Sequence, residues 1–122
     1  MVAIEWILDR VKSFGYAFAG IATLLHTQQN ARIHAVAVIV VVAAGWHCQL
    51  SGVEWGLVIL AMGLVTSAEA MNTALEILCD RVEPEQHPAI KQVKDVAAAA
   101  VLLAAIAAAA IGALVFVPKI LL

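Results

Sequence analysis

From Val96 to Val117 the chain runs without one charged residue, VAAAAVLLAAIAAAAIGALVFV. A helix that crosses a membrane needs about 20 predominantly apolar residues, at 1.5 Å each, to span a hydrocarbon layer about 30 Å thick. This run meets that length. Two more follow the same rule. Ile33–Trp46, extendable to about Leu50, is one; Val53–Ala68 is the other, charged only at Glu54 and continuing in helix-forming residues to Asp80. Of the 122 residues 64% are hydrophobic and 13% charged. A soluble domain would be about 45–50% apolar and about 25% charged. The expected solvent is therefore the bilayer. Residues 1–122 make one small all-α domain, and a net charge of -2 points away from nucleic acid as a partner.

The N-terminal stretch has another pattern. Ile4, Ile7, Leu8, Val11, Phe14 and Phe18 recur every three or four residues, with Glu5, Asp9, Arg10 and Lys12 on other faces. That is an amphipathic helix lying in the interface; the alternative is an extension of the first span, interrupted near residues 28–30. The charges in Met1–Lys12 do not make a secretory signal. The expected elements are a surface helix over about 1–27 and spans over about 31–50, 53–80 and 95–118.

Arg10, Lys12 and Arg32 precede the first span, and Arg81, Lys91 and Lys94 lie between the second and third. Only Lys119 falls on the other side. The positive-inside rule assigns the six to the cytoplasm, with the N-terminus. Trp46 and Trp55 bracket the outer turn, as interfacial tryptophans do. Cys48 and Cys79 then stand a bilayer apart and cannot bridge within one chain. Pro84 and Pro88 stop a helix and stiffen the inner loop, residues 81–92.

The second span carries the chemistry. In a helix, Glu69, Asn72, Thr73, Glu76 and Asp80 share one face, with apolar residues between them. At 1.5 Å per residue Glu69 lies about 24 Å along the helix from Val53, near the inner edge of the hydrocarbon. A carboxylate in a span costs about 2.5–3.5 kcal/mol at the centre and less near the interface. Lys94 and Asp95 enter the third span at the same boundary. Carboxylates there can hold Mg²⁺ together with phosphate oxygens, serve as general base towards an alcohol, or simply reach the interface; a lysine can neutralise phosphate charge. No soluble nucleotide-binding loop and no Cys/His metal motif occurs. Composition and spacing alone define a polar active or transport site at the inner interface.

Glu69-Ala-Met-Asn72-Thr73-Ala-Leu-Glu76, followed by Arg81-Val-x-x-Glu85-x-His87 and Lys94-Asp95-Val-Ala-Ala-Ala-Ala-Val-Leu-Leu, resembles the prokaryotic diacylglycerol kinases and their undecaprenol kinase relatives. The resemblance spans essentially the whole chain and is strongest from Glu69 to Leu103. It implies a lipid kinase of the bacterial inner membrane that uses ATP and Mg²⁺. It further implies a homotrimer whose active sites, on the cytoplasmic side, are shared between subunits. Glu69 would be the catalytic base towards the lipid alcohol, diacylglycerol or undecaprenol; Asn72 would support the acidic pair and Glu76 would ligate the metal. Glu85, Gln86, His87, Lys94 and Asp95 would contact the nucleotide, with Tyr16 and Arg10 from the surface helix.

Two departures stand out. Many members carry a second metal-binding Glu in a stretch like T-E-x-N, where this chain has Thr27-Gln28-Gln29-Asn30. Gln28 offers one neutral carbonyl oxygen, so weaker metal binding is expected. Cys79 replaces a branched aliphatic residue. His26 and His34 are expected as polar residues facing the interface. Asn30-Ala-Arg-Ile-His34 resembles the undecaprenol-kinase-like branch, and a hinge is expected there. A proton-coupled transporter or a non-enzymatic assembly protein are the competing classes; acids gathered at one edge disfavour the first and the polar ladder of span two the second.

Overall fold

The computed structural model describes residues 1–122 as four helices and no strand: α1 Val2–Thr27, α2 Gln29–His47, α3 Gly52–Val82 and α4 Pro88–Leu121. The last three are long and apolar enough to cross a membrane. At 1.5 Å per residue α3 and α4 are about 46 and 51 Å long, so both outrun a hydrocarbon core of about 30 Å.

α1 has no buried residue, and Trp6, Phe14 and Phe18 stand exposed along it. It is a helix in its own right, as the amphipathic pattern predicts. It parts from α2 at Gln28 alone, whose φ of -114° and ψ of 115° are extended. The hinge expected within residues 30–34 is therefore displaced towards the N-terminus, and those residues are helical. One extended residue is enough to redirect the chain, which leaves Asn30 and Arg32 free to sit in the first turns of α2.

The α2–α3 turn is closed by local chemistry. Cys48 N–H donates to the Ala44 carbonyl at 2.8 Å and Leu50 N–H to that of Gly45 at 3.2 Å, while Gln49 takes the left-handed φ of 54°. Ser51 Oγ accepts from Glu54 N–H and Glu54 Oε1 accepts from Ser51 N–H, each at 3.2 Å. This reciprocal pair is a capping box, and it fixes where α3 starts. Trp55 then lies so close to α2 that a Cβ on Gly45 would stand 2.7 Å from its Cη2. Trp46 is exposed as an interfacial tryptophan should be, but Trp55 is half-buried against the fold.

α3 and α4 form the main packed pair, with α2 more loosely against α3. The buried stripe of α3 is Val58, Ala61, Val65, Glu69 and Thr73, at helical spacing. Facing it are Ala97, Ala104 and Val115 of α4, where small side chains let the backbones approach. Ion pairs tie both ends of this hairpin: Glu54 to Lys119 at 3.2 Å and Asp80 to Lys94 at 2.6 Å. Only 11 of 122 residues are buried, so nearly all the apolar surface faces outward, as a lipid solvent permits and water does not.

Candidate active site

Thr66 shows how a hydroxyl in an apolar helix is ordinarily satisfied: it donates back to the Met62 carbonyl at 2.9 Å. One turn further on, that economy stops. Glu69 Oε2, Asn72 Oδ1 and Thr73 Oγ1 are buried with no hydrogen-bond partner, and they are the only such side-chain atoms in the protein. An unsatisfied buried polar atom costs about 1–3 kcal/mol. Three of them within one and a half turns of α3 make this face the candidate site, since a buried polar group calls for a partner that the single chain does not supply.

The remaining polar groups of this face lie towards the C-terminal end of α3. Asn72 Nδ2 donates to Glu76 Oε1 at 3.3 Å. Asp80 accepts from Lys94 Nζ at 2.6 Å. Asp80 is also the main cause holding the Lys94 ammonium above its ordinary pKa; partial desolvation opposes it. Lys94 precedes the charge-free run, outside the hydrocarbon. Asp95 does not share this pair. It accepts from Lys91 at 2.5 Å, an i,i+4 contact that the spacing of the two residues could have signalled.

Asp80, Glu85, Gln86, His87, Lys94 and Asp95 line one open polar cavity of 650 Å³ around the α3–α4 loop. The five loop and α4 residues expected at the nucleotide are thus brought together. His87 has a structural task as well: its Nδ1 accepts from Ala89 N–H at 3.1 Å and caps α4, with Pro88 at the first helical position.

The contributions expected from α1 are not joined to this cluster within one chain. Arg10 places its guanidinium over the Trp6 ring, 5.8 Å from the centroid. Tyr16 is exposed. Gln28 donates from Nε2 to Thr27 Oγ1 at 3.4 Å. No three acidic, imidazole or thiol groups converge on a point that could hold a metal ion. One contact was not anticipated: His34, expected to face the interface, turns inward, with Nε2 3.8 Å from Glu69 Oε2.

Three apolar helices, a strip of unpaired carboxylate, amide and hydroxyl groups on α3 and a polar cavity around the α3–α4 loop describe a chain of membrane-spanning helices with its polar groups gathered towards one end. The profile of the prokaryotic diacylglycerol kinases matches residues 15–116. The chain is 38% identical over 109 residues to the undecaprenol kinase of Bacillus subtilis (strain 168), covering 89% of each protein. It is 40% identical over 110 residues to the diacylglycerol kinase of Synechocystis sp., covering 89% of this chain and 63% of that one. With the diacylglycerol kinase of Escherichia coli (strain K12) it shares 31% identity over 98 residues, 80% of each. The chain belongs to the prokaryotic diacylglycerol kinase family, and it is a lipid kinase.

Proposed function

We propose that this protein transfers the γ-phosphate of ATP to the hydroxyl of a membrane lipid alcohol, undecaprenol in preference to diacylglycerol. The observation that carries the reading is the group of unpaired buried oxygens at Glu69, Asn72 and Thr73. A lipid hydroxyl arriving there meets a buried carboxylate whose Oε1 is left to receive its proton, while Oε2 is without a hydrogen-bond partner from α3 or α4. Glu69 takes the hydroxyl proton while the lipid oxygen bonds to the γ-phosphorus and the bond to ADP breaks. Lys94, held by Asp80, sets a positive charge beside the phosphates. Glu85, Gln86, His87 and Asp95 line the cavity that takes the nucleotide. The choice of undecaprenol is supported by Asn30-Ala-Arg-Ile-His34 and by the match over 89% of both chains to the Bacillus subtilis undecaprenol kinase.

Mg²⁺ favours a few protein oxygens plus phosphate oxygens, and the residues present suit it. Glu76 has one oxygen held by Asn72 and the other free, and the Asn72 carbonyl lacks a partner. Bound there, Mg²⁺ would neutralise the phosphates' charge. Gln28 would add its neutral carbonyl from a neighbouring copy. That arrangement follows from a homotrimer with shared sites, which also brings Arg10 and Tyr16 to the nucleotide and covers outward apolar surface. The clustering of six of the seven basic residues at this end of the spans supports a cytoplasmic orientation in a bacterial inner membrane.

The test is transfer of ATP γ-phosphate to lipid by the purified protein in detergent–lipid micelles, with undecaprenol and diacylglycerol offered in parallel. Faster transfer to undecaprenol, abolished in Glu69→Gln, is expected. Faster transfer to diacylglycerol reverses the choice of acceptor, and full activity in Glu69→Gln removes the base.

A further inference from the structure

We propose that His34 is a positioning residue for Glu69, holding one carboxylate oxygen so that the other is presented to the lipid hydroxyl. The inference rests on the reading of Glu69 as the base. Glu69 is 3% exposed, and its Oε2 has no hydrogen-bond donor from α3 or α4. His34 Nε2, on α2, stands 3.8 Å away. That is beyond hydrogen-bond length, but the imidazole's second torsion is broad. A rotation that moves Nε2 by about 1 Å brings it to the usual N–H···O distance of about 2.9 Å.

The surroundings favour this movement. His34 and Glu69 line one pocket of 430 Å³ beneath the C-terminal half of α1, with Leu24, Leu25, Thr66 and Ala70. Thr66 offers no alternative donor, since its hydroxyl is turned back onto the helix backbone. His34 also lines a second, largely apolar groove of 240 Å³ that runs between α2, α3 and α4 as far as Phe116. The imidazole therefore stands where an apolar channel meets the carboxylate, the place an interfacial alcohol on a long apolar tail would occupy. An N–H at Nε2 serves both states of the base. Before transfer it holds Oε2 of the carboxylate. When the lipid O–H bond breaks, Oε1 gains the proton and Oε2, now a carbonyl oxygen, still accepts from His34. A buried carboxylate without such a donor is free to rotate away from the hydroxyl.

The test has two arms. In the first, ¹⁵N-histidine-labelled protein in micelles is compared with Glu69→Gln by NMR. A shift of the His34 Nε2 resonance, with His26, His47 and His87 unmoved, is expected; an unmoved His34 overturns the proposal. This arm needs no turnover, so it decides the matter even if wild-type protein phosphorylates neither lipid, a result that would instead overturn the two acceptors proposed above. The second arm is kinetic. His34→Leu is expected to lower kcat about 10- to 100-fold, the worth of one hydrogen bond to a charged group, with the KM for ATP unchanged. His34→Gln, which keeps an N–H near the Nε2 position, is expected to recover most of that loss. Equal losses in Leu and Gln would show a packing role, and a rise in lipid KM at constant kcat would show a binding role; either overturns positioning.

Discussion

Asn72 donates from Nδ2 to Glu76 Oε1 at 3.3 Å, one turn away on α3, while its own carbonyl oxygen stays buried without a donor. An amide whose two ends are treated so differently is oriented: its NH₂ is spent on the carboxylate and its carbonyl is left for something else. A cation with oxygen appetite suits both Asn72 and Glu76.

Removing that amide should therefore show in metal demand. Asn72→Leu is expected to raise the Mg²⁺ concentration for half-maximal transfer about 10-fold or more, the usual effect of losing an outer partner of a metal ligand. The measurement is a Mg²⁺ titration at saturating lipid. An unchanged half-maximum would separate Asn72 from the metal.

Gln28 gives the complementary experiment. A carboxylate adds charge where the amide offers only a carbonyl dipole, so Gln28→Glu is expected to lower the Mg²⁺ requirement. The effect should vanish in the double variant with Glu76→Gln if the two residues serve one ion. Additive behaviour in that cycle would place them at different sites.

Lys94 and Asp80 form an ion pair whose side chains are 38% and 67% exposed, and exposed pairs add little to stability. Lys94→Met should therefore leave thermal unfolding nearly unchanged yet raise the KM for ATP. The sign of the pH dependence is fixed by Asp80, which raises the folded pKa of Lys94 above 10.5. The attraction is fully present below the unfolded value and is lost only as pH rises through the folded one. The ratio of KM between variant and wild type should thus stay constant from about pH 7 to 9. A ratio that collapses within that range would show that a different charge is responsible.

At the opposite end of the molecule, Gly45 is held bare by Trp55. Gly45→Ala puts a methyl group 2.7 Å from Trp55 Cη2, an overpacking that costs about 1–3 kcal/mol. It should lower the unfolding midpoint in detergent and leave kcat intact. Adding Trp55→Phe, whose ring lacks that atom, should restore much of the loss.

Hydropathy and spacing made a good deal of this legible before any coordinates. The charge-free run of α4, the amphipathic face of α1 and the polar ladder from Glu69 to Asp80 all follow from period and length. What stayed hidden depends on the rotation of one helix against another. His34 on α2 and Glu69 on α3 are far apart in sequence, and no periodicity says that they face each other. Trp55 looked like an interface anchor because its position near a turn is the same whether it faces lipid or Gly45. The surface helix ends at Thr27 as expected, but the hinge expected at residues 30–34 falls at Gln28, because the polarity of Asn30 and Arg32 marks the end of a span without marking the end of a helix.

That break carries a consequence for how the family's chains can vary. With one non-helical residue between α1 and α2, there is no slack to absorb a change in length. Each added residue between Tyr16 and Gln28 would turn everything upstream by about 100°, carrying Arg10 and Tyr16 to another side of the helix. The stretch ahead of Gln28 is thus a ruler as well as a surface helix. Relatives should keep its length nearly constant, since a change there would swing Arg10 and Tyr16 away together.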